Sequence, residues 1–244
     1  MHVPDGFFTT PVSIGAGVVA AAGVAVCLRG ARRELDDRTA PLAGLVAAFI
    51  FAAQMLNFPV GAGTSGHLLG GALAAILAGP YTGVLCVTAV LLVQLLFADG
   101  GLTAIGVNVT LMALVTVVVA WGVLRGITRV LPRGRAGLLA ASFAAAMISV
   151  PASALAFVGL FAIGGTTALD VGTVALAMGG IHLLIGVGEG LITALTVGAV
   201  LAARPDLVYG ARGLTAPLRL RATPGAPGPT PSPAPGTATS TEGA

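Results

Sequence analysis

Two of the three histidines in this chain stand where they could bind a metal ion. His2 follows Met1 in the opening stretch MHVPDGFF, and His67 lies in the glycine-rich stretch FPVGAGTSGHLLGG, residues 58–71. The free α-amine of Met1, the amide nitrogen of His2 and its imidazole can coordinate one ion in two fused chelate rings. These three nitrogens lie in a plane and leave one corner open, which suits Ni(II) and Cu(II), with Co(II) a further candidate.

The surroundings of His67 would help it to act as a ligand. The glycines around it allow the backbone to pass close to a bound group. Thr64 or Ser65 can cap the helix expected to follow, and a helix amino end keeps a nearby imidazole neutral. Two plainer interpretations stay open: His2 has no special role, and His67 caps a helix without binding a ligand.

Composition indicates what kind of protein carries these histidines. Hydrophobic residues make up 56% of the chain, charged residues only 9%, and the mean hydropathy is +1.00. Soluble domains have about a quarter charged residues, so this chain is built for lipid. Runs of about 20 apolar residues indicate spanning helices, and no alternating strand pattern of a barrel is seen. The sequence therefore predicts an all-α, multi-pass membrane protein.

The apolar runs predict about seven spans. They cover residues 11–28, 41–58, 67–79, 81–98, 104–124, 137–163 and 172–203. With seven spans, the arginines between spans one and two, between five and six and after seven fall on one side of the membrane. The positive-inside rule places these arginines in the cytoplasm, the amino terminus outside and the carboxyl terminus inside.

Two further features limit the function. The chain has no lysine, so it lacks the phosphate-binding lysine of a P-loop and is not expected to hydrolyse ATP by that route. Its basic residues lie at membrane edges, which gives no reason to expect nucleic acid. Residues 1–203 are predicted to form the bundle, and residues 204–244, with six prolines after Arg221, a disordered cytoplasmic tail.

Several polar residues in or next to apolar spans are expected to face the bundle interior. Asn57 and Asn108 fall near the ends of their spans beneath the proposed site, and Asp99 ends the fourth span. These three, with Ser65, are the candidates for orienting the amino-terminal loop, although plain interhelical hydrogen bonding is the alternative. Gln54 lies on the same face as Asn57. His182 and Glu189 are interpreted as a buried structural pair, with a second metal site or a release path as alternatives.

The stretches MHVPDGFF, FAAQMLNFPVGAGTSGHLLGG, LLVQLLFADGGLTAIGVN and GIHLLIGVGEGLIT occur in this order along residues 1–200. Together they resemble the CbiM/NikM family, the substrate-binding membrane subunits of energy-coupling-factor importers for cobalt and nickel. The resemblance implies a seven-helix bundle with the amino-terminal loop inserted into its outer half. It also implies that the Met1 amine, the His2 amide and imidazole, and the His67 imidazole hold the metal.

The resemblance further implies how the protein works. Ni(II) or Co(II) is the transported substrate and no permanent cofactor is expected. An energy-coupling membrane subunit and ATP-binding-cassette ATPases are the expected partners, with a small auxiliary membrane subunit as an optional one, in a bacterial cell membrane. Metal binding should weaken in mild acid, because an amine with a pKa of ~8 and an imidazole with a pKa of ~6.5 must both be unprotonated.

Two other classes of function remain as alternatives. The residues GTSG at 63–66 fit the G-x-S-G pattern of rhomboid intramembrane proteases, which would use Ser65 as nucleophile and His182 as base. A passive channel would transport metal without ATPases. The sequence does not distinguish cobalt from nickel.

Overall fold

The computed structural model describes residues 2–37, 39–56, 58–61, 64–132 and 134–213. Within these ranges the chain forms seven helices and one short antiparallel hairpin. The helices are Thr10–Ala31 (α1), Thr39–Gln54 (α2), Gly71–Ala78 (α3), Pro80–Leu95 (α4), Ile105–Val130 (α5), Arg135–Gly164 (α6) and Val171–Ala203 (α7). The hairpin joins α2 to α3 through Phe58–Gly61 (β1) and Thr64–Gly66 (β2).

The helical membrane fold predicted from the sequence is confirmed. Helices α1, α5, α6 and α7 are long and apolar enough to cross a bilayer, and α2 and α4 are shorter apolar helices. Helix α3 has only eight residues, and all of them are buried. Such a helix covers about 12 Å, so it lies inside the bundle without reaching both of its ends.

The predicted second and third spans were wrong at their facing ends. Helix α2 ends at Gln54, before residue 58, and α3 begins at Gly71, after residue 67. The stretch between them is rich in glycine and contains Pro59, which has no N–H to donate within a helix. It forms the hairpin instead. The predicted cap by Thr64 or Ser65 is also wrong, because the N-cap of α3 is Gly70 at φ 77° and no side chain caps it.

A buried acid joins the loop after α1 to the start of α4. Glu34 is 3% exposed, and its carboxylate accepts hydrogen bonds from the backbone nitrogens of Tyr81 at 3.2 Å and Thr82 at 2.7 Å. The first N–H groups of a helix lack intrahelical acceptors and favour negative charge. Glu34 therefore caps α4 and fixes the end of the bundle where α4 begins.

The bundle has two chemically different ends. Arg29 lies in the last turn of α1, Arg125 and Arg129 near the end of α5, and Arg135 at the start of α6. All four arginines lie at the end of the bundle where α4 begins. The amino-terminal loop contacts the other end of α4 through Gln94, about 24 Å away at 1.5 Å per residue.

Regular structure continues beyond the predicted boundary at residue 203. Residues Pro205–Leu207 and Tyr209–Ala211 form two 3-10 turns, and Val208 and Ala211 are buried. Small apolar groups in this segment find space against the bundle, which the prediction of a wholly disordered tail overlooked. Residues 214–244 lie outside the described ranges, and the prediction for them stays a prediction.

Helices α1 and α5 approach each other through a glycine contact that can be tested. A Cβ on Gly106 would stand 2.4 Å from Gly17 Cα, whereas a Cβ on Gly122 of the same helix meets nothing within 4 Å. We expect Gly106→Ala to lower the free energy of unfolding by about 1–3 kcal/mol through overpacking. Gly122→Ala should be neutral or stabilising, because alanine favours a helix. Thermal unfolding in detergent measures both, and equal midpoints would contradict the contact.

Candidate metal centre

The amino-terminal loop is fixed at Val3, the residue after His2. Val3 is 1% exposed, and its backbone nitrogen donates to Asn108 Oδ1 at 2.8 Å. Its carbonyl oxygen accepts from Asn108 Nδ2 at 3.3 Å and from the backbone nitrogen of Gly101 at 2.8 Å. One amide side chain at the start of α5 therefore satisfies both main-chain groups of Val3, which sets the position of His2.

Further contacts extend this attachment along the loop. The Asp5 carboxylate accepts from the backbone nitrogen of Thr103 at 2.7 Å and from its hydroxyl, and these bonds lower the pKa of Asp5. Thr166 donates its backbone N–H to the carbonyl of Phe7 at 3.1 Å, and Thr9 donates to Gly164 at 2.8 Å. The loop is thus bound on one side to the α4–α5 connection and on the other to the α6–α7 connection.

The α4–α5 connection needs glycine to make room for the loop. Gly100 has φ 108°, which a residue with a side chain rarely adopts. A Cβ on Gly101 would stand 2.3 Å from the backbone nitrogen of Asp5. The glycine pair in the sequence ADGG therefore allows two backbones to run in contact at the site.

The His2 side chain is 5% exposed and has one nitrogen without a hydrogen bond. Its Nε2 lies 2.9 Å from Gln94 Oε1 and carries the proton in the tautomer that donates to this oxygen. Its Nδ1 lies 3.2 Å from Asp99 Oδ1 but makes no hydrogen bond. In this tautomer the Nδ1 lone pair faces a carboxylate, which is repulsive, so a proton or a metal ion at Nδ1 is favourable. Nδ1 is also the ring nitrogen that closes a six-membered chelate with the amide nitrogen of His2.

His67 presents a second imidazole lone pair. Its Nδ1 lies 2.8 Å from the carbonyl oxygen of Leu68, so Nδ1 carries the proton and donates it. Its Nε2 is buried and has no hydrogen-bond partner among the described residues. Metal-binding histidines commonly donate the other ring N–H to a carbonyl in this way, which fixes the tautomer.

The loop that carries His67 is held by two buried side chains from α7 and α2. The Glu189 carboxylate accepts from the backbone nitrogens of Leu69 at 2.6 Å and Gly70 at 2.9 Å. Gln54 Nε2 donates to the Leu69 carbonyl at 2.7 Å. Three hydrogen bonds thus fix the two residues that follow Leu68, the acceptor of the His67 proton.

The two imidazoles face each other. Their ring centroids are 4.4 Å apart, and their planes differ by 25°. Nitrogens at neighbouring corners of a square around a first-row metal are roughly 3 Å apart, given metal–nitrogen bonds of about 2 Å. Two nearly parallel rings at this separation suit neighbouring corners, with His2 Nδ1 at one and His67 Nε2 at the next.

Burial keeps both imidazoles unprotonated. It lowers the pKa of His2, against the opposing effect of Asp99, and it lowers the pKa of His67 well below the ordinary value of 6.5. The sequence attributed a neutral His67 to a helix amino end, but desolvation is the larger cause. The two rings are therefore ready to bind a metal without first losing a proton near neutral pH.

The structure brings together four of the residues singled out in the sequence. His2 and His67 stack, Asn108 binds Val3, and Asp99 lies beside His2. Met1 and Asn57 lie outside the described residues, so their predicted roles stay predictions. The backbone of Ser65 lies in β2, but its side chain is not described. Within the described ranges no three His, Cys, Asp or Glu side chains form a metal cluster, so main-chain nitrogens would have to complete this one.

Two functional contacts were not assigned from the sequence. Gln94 orients His2, and Glu189 holds the His67 loop rather than pairing with His182, whose Nδ1 bonds instead to the Met178 carbonyl. Both residues are polar groups within apolar spans, and such groups are expected to have a partner inside the bundle. The partners could not be found, because contacts 92 and 120 residues apart leave no local pattern.

Solved structures and relatives with the same architecture are membrane transporters of metals. The fold matches the crystal structure of a truncated transition metal transporter with a TM-score of 0.76 and 28% identity, over 83% of this chain and 99% of that one. A putative metal transport protein of Haloquadratum walsbyi is 42% identical, over 86% of this chain and 94% of its own length. A cobalt transport protein CbiM of Sorangium cellulosum is 35% identical over 85% and 94%.

The fold thus belongs to a class of multi-pass membrane proteins that transport metals. More narrowly, residues 2–207 match the model of the cobalt uptake substrate-specific transmembrane region, and the chain belongs to this CbiM family. A putative fused nickel transport protein NikMN of Archaeoglobus fulgidus is also 44% identical, over 85% of this chain and 68% of its own length. The chain is therefore a cobalt or nickel transport component, and the protease alternative has no support.

Removing the Asn108 amide should weaken metal binding more than it destabilises the fold. Asn108→Leu loses both hydrogen bonds to Val3 and frees the loop that carries His2, so we expect a 10–100-fold loss of Ni(II) affinity. Thr110→Val is the control, because it removes a bond to the α1 backbone on the same helix but none to the loop. Calorimetric titration measures both, and equal affinities would contradict the role of Asn108.

Glu189→Gln tests the attachment of the His67 loop. An amide offers one acceptor oxygen where the carboxylate offers two, so one backbone N–H loses its partner. We expect a loss of about 1–3 kcal/mol in stability and a 10–100-fold weaker metal affinity. Thr193→Val, one turn further along α7, should change neither, because the Thr193 hydroxyl has no partner among the described residues. Thermal unfolding and metal titration provide the comparison.

Proposed function

We propose that this chain is the substrate-capturing subunit of an energy-coupling-factor importer for Ni(II) or Co(II), with its metal site at the outer face of the membrane. The observation that carries the proposal is the pair of buried imidazole lone pairs on His2 and His67. Two such nitrogens without hydrogen-bond partners are costly in a folded protein, at about 1–3 kcal/mol each, unless a ligand binds them.

The proposed coordination is a square of nitrogens. The Met1 amine, the His2 amide nitrogen and His2 Nδ1 occupy three corners, and His67 Nε2 the fourth. A planar set of nitrogen donors favours Ni(II) and Cu(II) and accepts Co(II), and it disfavours the oxygen-preferring Mg(II) and Ca(II). The neighbouring Asp99 carboxylate adds a negative charge beside the site and offsets part of the charge of the ion.

Gln94, Asn108 and Glu189 act in this proposal through the ligands that they orient. Gln94 holds the proton of His2 on Nε2, which leaves Nδ1 for the metal. Asn108 fixes the main chain after His2, and Glu189 fixes the loop after His67. Groups that position metal ligands in this way tune affinity strongly.

Transport against a gradient requires an energy source that this chain lacks. It contains no lysine for a P-loop, so ATP hydrolysis falls to partner ATPases that act through an energy-coupling membrane subunit. The names of the fused NikMN relative and of a probable fused nickel transport protein LarMN of Lactiplantibacillus plantarum support association with further components. The arginine-rich end would face the cytoplasm by the positive-inside rule, which puts the metal site outside.

Acetylation of the Met1 amine is the decisive test of the proposed site. It keeps every side chain, converts the amine to an amide and introduces no new amine. We expect Ni(II) affinity to fall at least about 100-fold, since one strong ligand is lost. Titration of purified protein, with the amino terminus verified by mass spectrometry, measures this.

A matched control separates the amine from simple crowding at the loop. Asp5→Asn alters the same loop without touching any proposed ligand, and it should retain most of the affinity. Uptake of Ni(II) by cells that express the partner ATPases should follow the same order as the affinities. Unchanged affinity in the acetylated protein would refute the amine as a ligand, and uptake without ATPases would refute the importer.

A further inference from the structure

A pocket of about 380 Å³ opens at the arginine-rich end of the bundle, remote from His2 and His67. Its walls come from three separate parts of the chain: Tyr81 at the start of α4, Trp121 and Arg125 on α5, and Tyr209 and Arg212 after α7. An adjoining pocket of about 300 Å³ shares the two arginines and adds Arg129. Three cationic side chains therefore border one continuous depression.

The two shared arginines are held in place by aromatic rings. Arg125 Cζ lies 5.6 Å from the centre of the Trp121 ring, and Arg212 Cζ lies 4.4 Å from the centre of the Tyr209 ring. The two rings are themselves 5.6 Å apart. Guanidinium groups over aromatic faces are attracted to them and lose part of their freedom. The contacts thus bring two oriented guanidinium groups to one place.

Their charge is not neutralised within the part of the chain that the structure describes. Asp99 lies beside the unprotonated His2 ring, and Asp206 pairs with Arg204. Neither Arg125 nor Arg212 lies within 4.0 Å of a carboxylate oxygen of the described residues. Glu34 also borders the pocket, but its oxygens accept the first N–H groups of α4. The pocket is consequently a cationic site with aromatic walls.

We propose that this pocket binds the phosphodiester headgroup of an anionic phospholipid. Guanidinium groups pair with phosphate oxygens through two parallel hydrogen bonds, and arginine suits this role better than lysine. Tryptophan and tyrosine are enriched at the headgroup level of a bilayer, and clustered arginines at helix ends attract anionic lipids. A membrane protein with two guanidinium groups fixed beside Trp121, Tyr81 and Tyr209 has the chemistry for such a headgroup.

The test compares two lipids and free phosphate on the metal-free protein. Purified protein in detergent receives phosphatidylglycerol, phosphatidylcholine or inorganic phosphate, and native mass spectrometry counts bound molecules while thermal unfolding follows stability. We expect phosphatidylglycerol to bind and to raise the midpoint more than the other two. Arg125→Gln with Arg212→Gln should weaken phosphatidylglycerol binding at least about tenfold.

The matched control is Arg29→Gln with Arg32→Gln, which removes the same charge from the same end of the bundle but outside the pocket. It should bind phosphatidylglycerol like the parent. Equal loss in both double variants, or equal binding of the two lipids by the parent, would overturn the proposal. Equal stabilisation by inorganic phosphate would overturn the assignment to a lipid. Because no metal is present, these results are independent of the proposed transport function.

Discussion

The hydrogen bonds between Asn108 and the backbone of Val3 are the constraint on which the proposed metal centre depends. They fix the loop that contains His2 to the first turn of a long spanning helix. Val3 is buried, and both of its main-chain groups are hydrogen-bonded. His2 therefore lies beside α4, where its ring contacts Gln94. A main-chain amine can serve as a ligand only if the terminus is held in this way.

His67 is positioned beside His2 by a different set of contacts, which require a buried carboxylate. Glu189 is a carboxylate within an apolar helix, and no cation lies within ion-pair distance of it in the described ranges. Burying such a group is unfavourable unless hydrogen bonds compensate. The two backbone N–H groups of Leu69 and Gly70 supply them, so the acid and the irregular loop satisfy each other. The glycine-rich hairpin interrupts the path from α2 to α3, and His67 lies between this hairpin and the start of α3.

Features that depend on residue type and local pattern, such as the long apolar helices, could be predicted from the sequence. The long apolar runs predicted α6 and α7 to within two residues of their ends and located α1 and α5, which extend three and six residues further. The rarity of histidine marked His2 and His67 before any geometry was known. The sequence left residues 59–66 as a connection between two spans. It did not predict the hairpin there, because a short glycine-rich connection shows no alternation of residue types that would indicate strand pairing. The contacts of Gln94 and Glu189 were missed because a polar residue in a span indicates that a partner exists without indicating which one.

The two ends of the bundle carry different kinds of polar group, and α4 extends from one end to the other. Glu34 caps its first turn at the arginine-rich end, and Gln94 in its last turn contacts His2. At the first end, charge stays exposed on guanidinium groups that bilayer headgroups can solvate. At the second, the ring nitrogens His2 Nδ1 and His67 Nε2 are buried and have no hydrogen-bond partner among the described residues, which suits the proposed metal ion. Exposed cations suit a fixed position in the membrane. Buried nitrogens without hydrogen-bond partners suit an ion that binds and is released, because the empty site is unfavourable and can accept the next ion.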